Sequence, residues 1–129
     1  KYWYDGVERG EVFQHALIAG HFDVPVILVT GDEAVCQEAR QTLGEDLPAV
    51  AVKRGISREA AVLIAPEETR LLLREGARMA VEAIPRLRPF KAAFPMKVRL
   101  RRLGPDAADP ANPYFVDTET EIASALEIP

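Results

Sequence analysis

The chain is 129 residues long, enough for one compact domain, and 48% of its residues are apolar, enough to fill a core. No apolar run approaches the length that crosses a bilayer, the start shows no secretory signal pattern, and a net charge of −4 speaks against a nucleic-acid binder. The single cysteine, Cys36, cannot make an internal disulfide, so a reducing, cytoplasmic setting fits.

The aromatic stretch Lys1–Tyr4 reads as a strand, Asp5-Gly6 as a hairpin turn and Val7–Arg9 as the return strand. Gly10 lets the backbone turn into a helix from Glu11 to Gly20. Phe13, Ala16, Leu17 and Gly20 recur there at helical spacing, and Gly20 is read as the carboxyl cap. Val24–Thr30 is a continuous apolar, β-branched run. It does not alternate, so it is expected to be buried on both faces, as in a parallel sheet covered by helices. Asp32-Glu33-Ala34 opens a second helix to Leu43, ended by Gly44, with acids in the first turn where the dipole favours them. The strand Ala49–Lys53 completes a βαβ order. Ala60–Ile64 is apolar and fits either a strand or a buried turn. The next helix opens on Pro66 and Glu67-Glu68, places Leu71, Leu72, Ala77, Val81 and Ile84 on one side, and ends at Pro85.

Pro85–Pro95 is a proline-rich connector, and Met96–Leu100 alternates apolar with basic residues, as a strand with one wet face does. Lys97, Arg99, Arg101 and Arg102 are read as that solvated face. Pro105–Asn112 is turn-rich or a short helix, and Thr118–Leu126 is expected to form a last amphipathic turn or two. The expected class is α/β, a parallel or mixed sheet with helices on both faces, forming a single unit over residues 1–129. Incompleteness at both ends is expected too, because the chain opens on Lys1 rather than Met and closes on Ile128-Pro129 without a final element.

Chemistry is sparse. Glu11 stands at the mouth of an apolar helix, where a carboxylate is either a solvated charge stabilised by the dipole or a metal ligand or general base. Glu11 and His15, four residues apart, share a helix face and could bind a divalent metal, but no third ligand is near; His21 reads as structural. Gly31-Asp32 ends a strand at the edge where open α/β sheets bind ligands, against the plainer reading of a helix cap. Lys53, Ser57 and Arg58 form a polar group in which Ser57 and Arg58 either orient a ligand carboxylate or, for Ser57, cap a turn. Cys36 has no nearby base and is a poor nucleophile.

The ordered series Gly10-Glu11-Val12, Ala16, Ala19-Gly20, Asp23-Val24-Pro25-Val26, Gly31-Asp32, Ala51-Val52-Lys53, Ile56-Ser57-Arg58 and Pro66-Glu67-Glu68 resembles the carboxyl-terminal half of the zinc-dependent D-aminopeptidases of the DppA type. The resemblance implies an α/β fold and a cytoplasmic, ring-shaped homo-oligomer, beside the expectation from charge and hydropathy of no nucleic-acid or membrane partner. It also implies a two-zinc site that removes amino-terminal D-residues from short peptides. Glu11 matches the family's metal-ligating glutamate, the one site residue carried over. The other ligands, an Asp-x-Glu pair and two histidines, and the catalytic histidine all lie upstream in that family and have no counterpart here. The chain then reads as the carboxyl-terminal portion of a longer metallopeptidase domain, inactive alone. The rival reading is a catalytically inert α/β binding or assembly module without a metal site.

Overall fold

The computed structural model describes residues 1–57, 59–104 and 114–129. It contains strands β1 (Tyr2–Tyr4) and β2 (Val7–Arg9), helix α1 (Glu11–His21), β3 (Val29–Asp32), α2 (Glu33–Leu43), β4 (Ala49–Gly55), β5 (Ala61–Leu63), α3 (Pro66–Ala83), β6 (Met96–Leu103), β7 (Phe115–Ile122) and a short 3₁₀ turn at Ala125–Glu127. The α/β class holds. The patterning did not foresee the division into two sheets: a four-stranded antiparallel one in the order β2-β1-β6-β7, and a three-stranded mixed one in the order β3-β4-β5.

The first sheet is built on the Asp5-Gly6 turn. Both residues take positive φ, +48° and +83°, the conformation that a two-residue hairpin needs and that Asp and Gly tolerate. Tyr4 of β1, Met96 and Val98 of β6 and Ile122 of β7 form one apolar face, and α1 lays Phe13 and Leu17 onto it, with Ala125 closing the cluster. The opposite face is wet. Lys97, Arg99 and Arg101 of β6 stand across from Glu121, Glu119 and Asp117 of β7, and Arg99 lies 4.1 Å from the ring centre of Trp3. Lys97, Arg99 and Arg101 therefore form one strand face opposite acids, whereas Arg102, next along the strand, stands across from Val116 on the other face.

In the second sheet β3 runs parallel to β4 and β5 antiparallel to it, with α2 as the β3–β4 crossover. Asp32 caps α2 by accepting from the Val35 N–H at 2.8 Å. Cys36 and Ala39 are the buried residues of α2, and α2 and α3 both pack against β4. Contacts between α1 and α2 join the two sheets' layers.

Four expectations need correction. The run Val24–Thr30 is not a strand buried on both faces: pairing starts only at Val29, Val24 is 53% exposed, and residues 25–29 are half-buried. The reason lies in β4, which begins at Ala49 after Pro48 and the turn at Gly44, so it has no backbone to offer residues 24–28. The α3 residues Leu71, Leu72, Ala77, Val81 and Ile84 are exposed; α3 buries Gly76, Ala80 and Ala83 instead. Small residues let the helix backbone approach β4, and a Cβ on Gly76 would collide with the Val50 side chain. The stretch 118–122 is strand, part of β7, because it can pair along β6 with opposite charges facing each other. Gly20 is not the carboxyl cap: α1 continues to His21 and is capped at Phe22. Gly20 sits where a Cβ would run into the carbonyl oxygen of Phe90, so the bare backbone serves close approach of the connector. The open segment 60–64 resolves as the exposed strand β5, and residues 105–112 lie outside the described residues.

Candidate functional site

The first residue of α1 is Glu11, and the residue ahead of it, Gly10, is extended and has no side chain with which to cap the helix. The amino-terminal N–H groups must find another acceptor. Glu38 of α2 supplies it: one carboxylate oxygen accepts from the Gly10 N–H at 3.1 Å and from the Phe13 N–H at 3.4 Å. The glycine is needed for this approach, since a Cβ at position 10 would meet the Glu38 carboxylate. Sequence reasoning missed Glu38. The cap crosses from one helix to another, so no local spacing announces it; the only hint is a helix start with a glycine where Ser, Thr, Asp or Asn would cap.

With the cap supplied by Glu38, the Glu11 carboxylate is left exposed and makes no hydrogen bond or ion pair among the described residues. It borders an open hollow of about 520 Å³ with Lys1, Glu8, Gln14 and Glu38 on its walls. Glu8 is held by Lys1 at 2.9 Å, and Glu38 is committed to the helix cap. Gln14 lines the same hollow, and burial pushes the pKa of the Tyr4 hydroxyl up to about 12.

The structure does not bring the other candidates to this hollow. His15 is exposed on α1, and His21 stacks edge-on against Phe22 at 5.0 Å. Asp32 is a helix cap, Ser57 accepts from the Glu59 N–H as a turn residue at 3.3 Å, Lys53 is exposed, and Arg58 lies outside the described residues. Cys36 is buried and burial raises its thiol pKa, which keeps it protonated and inert.

Among the described residues no group of three or more His, Cys, Asp or Glu could hold a metal ion. Zinc takes three protein ligands in a catalytic site and four in a structural one. These residues alone therefore do not fit a zinc ion.

Fold and site define an α/β domain in which, among the described residues, an unpaired carboxylate at the entrance of α1 borders an open hollow. The chain belongs to the D-aminopeptidase family, whose model matches residues 1–120. It is 34% identical over 81 residues to the D-aminopeptidase of Bacillus subtilis (strain 168), a match covering 63% of this chain and 29% of that protein. Its fold is similar to the solved structure described as the Zn-dependent D-aminopeptidase DppA from Bacillus subtilis, a self-compartmentalizing protease. That match has a TM-score of 0.79 and 23% identity, and covers 98% of this chain and 48% of the other. The chain thus spans less than half the length of these relatives. No helix among the described residues is long and apolar enough to cross a membrane.

Proposed function

We propose that this chain is the carboxyl-terminal portion of a zinc-dependent aminopeptidase that removes amino-terminal D-residues from short peptides. Glu11 contributes one carboxylate to a two-zinc site whose remaining ligands, and whose catalytic histidine, come from the portion of the family's domain that this chain does not span. The enzyme works in the cytoplasm as a ring-shaped homo-oligomer. The observation that carries this reading is the freedom of Glu11: in a chain of the D-aminopeptidase family, the helix entrance is capped by Glu38, and Glu11 borders an open hollow with no hydrogen-bond or ion-pair partner among the described residues. What this chain's residues do is structural: Gly10 and Glu38 fix the first turn of α1, and the turn aims Glu11.

The rival is an inert α/β module, favoured by the absence of a complete ligand group among the described residues. The two separate in one assay, run on the polypeptide that carries this chain together with the residues encoded ahead of it. Supplied with zinc, it is expected to release alanine from a dipeptide with amino-terminal D-alanine, and to prefer it to the L-counterpart by at least about tenfold. No turnover of either dipeptide, with the protein folded, would establish the inert module.

A further inference from the structure

The outer face of the antiparallel sheet sorts its charges by strand. Lys97, Arg99 and Arg101 alternate along β6, and Glu121, Glu119 and Asp117 stand opposite them on β7. One of these pairs closes: Arg101 donates to both Asp117 carboxylate oxygens at 2.7 Å. The other two stay open. Among the described residues Lys97, Arg99, Glu119 and Glu121 make no ion pair. The Arg99 guanidinium instead lies 4.1 Å from the ring centre of Trp3, which holds its head in place on the face. Lys97, Glu119 and Glu121 are exposed, and with Trp3 and Arg99 they line an open hollow of about 500 Å³.

This pattern selects a partner. Three cations beside three anions sum to zero, so the face has no net pull on a polyanion or an anionic membrane. It is, however, complementary to itself. A half-turn about an axis along the strands, midway between β6 and β7, lays the acidic row of a second copy over the basic row of the first, and the reverse. Residues opposite each other across the two strands lie at one height along that axis. Arg99 of each copy therefore meets Glu119 of the other, and Lys97 meets Glu121. Sheets that pack face to face stand about 10 Å apart, a gap that long charged side chains cross from both sides. The contact closes on itself, as a two-fold interface does.

We propose that the outer face of β6 and β7 is a two-fold contact between copies of this protein, in which the charges left open within one sheet are paired by the other. This rests on the reading of the protein as a homo-oligomer and names one of its contacts.

Sedimentation tests it on the polypeptide that carries this chain together with the residues encoded ahead of it. Arg99→Glu sets two anions against two anions across the contact, and Glu119→Arg sets two cations against two cations. Each variant alone is expected to sediment at half the wild-type mass or less. An equimolar mixture of the two is expected to regain the wild-type mass, because one copy then brings two anions and the other two cations. Inside a single chain both variants keep like charges opposite each other, so a role confined to the sheet predicts no recovery on mixing. A variant that keeps the wild-type mass, a mixture that does not recover, or a monomeric wild type would each overturn the contact. Should either variant fail to fold, Lys97→Glu and Glu121→Lys repeat the test by the same logic. Should these fail too, the wild type decides: raising sodium chloride from about 0.1 M to about 1 M shortens the screening length from about 10 Å to about 3 Å. A fall to half the mass or less upholds the contact, and an unchanged mass overturns it. Turnover does not enter this readout. An inactive protein whose variants part and recombine keeps the contact and rejects the peptidase reading, and an active one whose mass ignores both variants does the reverse.

Discussion

Two glutamates at the entrance of α1 do different jobs, and the difference is visible in what each touches. Glu38 accepts from two backbone N–H groups that Gly10 cannot serve, whereas Glu11, one residue on, makes no hydrogen bond or ion pair among the described residues. Losing a helix cap costs about 1–2 kcal/mol, while an exposed carboxylate in the first turn contributes about 0.3–1 kcal/mol through the dipole. Glu38→Ala should therefore lower the unfolding free energy by about 1–2 kcal/mol in urea titration, and Glu11→Gln by less, about 0.3–1 kcal/mol. Equal losses would mean that Glu11 is a structural residue and would remove the reason to assign it to a metal. On spacing alone the two could not be ranked. Glu11 drew notice from its place at a helix mouth and from a family resemblance; Glu38 looked like any solvated position of an amphipathic helix.

At the scale of elements, legibility followed how local the determining interaction is. The Asp5-Gly6 hairpin, the Asp32 cap with the Gly44 stop, and the Pro66 start were readable because turn and cap chemistry lies within a few residues. The alternation of Met96, Lys97 and Val98 likewise gave β6. What failed depended on a distant partner. Val24–Leu28 has the composition of a strand but no strand beside it, and β7 was hidden because its pairing along β6, not its own pattern, makes it a strand. The docking face of α3 was not legible for a related reason: the helix docks on β4 through Gly76, Ala80 and Ala83, small residues that carry little hydrophobic signal beside the leucines of the other side. Gly76→Val sharpens this point. Valine is the better helix former by a few tenths of a kcal/mol, but overpacking against Val50 costs about 1–3 kcal/mol, so the variant should be less stable. A gain in melting temperature would show that α3 does not approach β4 as described.

For the whole molecule, the layers are asymmetric in their completeness. The antiparallel sheet and α1 enclose a continuous apolar cluster from Tyr4 to Ala125. The mixed sheet, by contrast, is short, with β3 and β5 as its edge strands, and Leu71, Val81 and Ile84 on and just after α3 turn outward, at 66%, 63% and 44% exposure. Such surfaces mark contact sites more often than solvent faces. The helix packed on the antiparallel sheet carries Glu11, and the mixed sheet's layer lies beside it through the α1–α2 contact. On this account the carboxylate is presented by a finished frame to a site assembled from elsewhere. The most direct test is a crystal of the longer polypeptide grown with zinc and measured at the zinc absorption edge. An anomalous peak about 2.0–2.2 Å from a Glu11 carboxylate oxygen is the predicted result; zinc bound elsewhere, with Glu11 still free in solvent, would contradict the account.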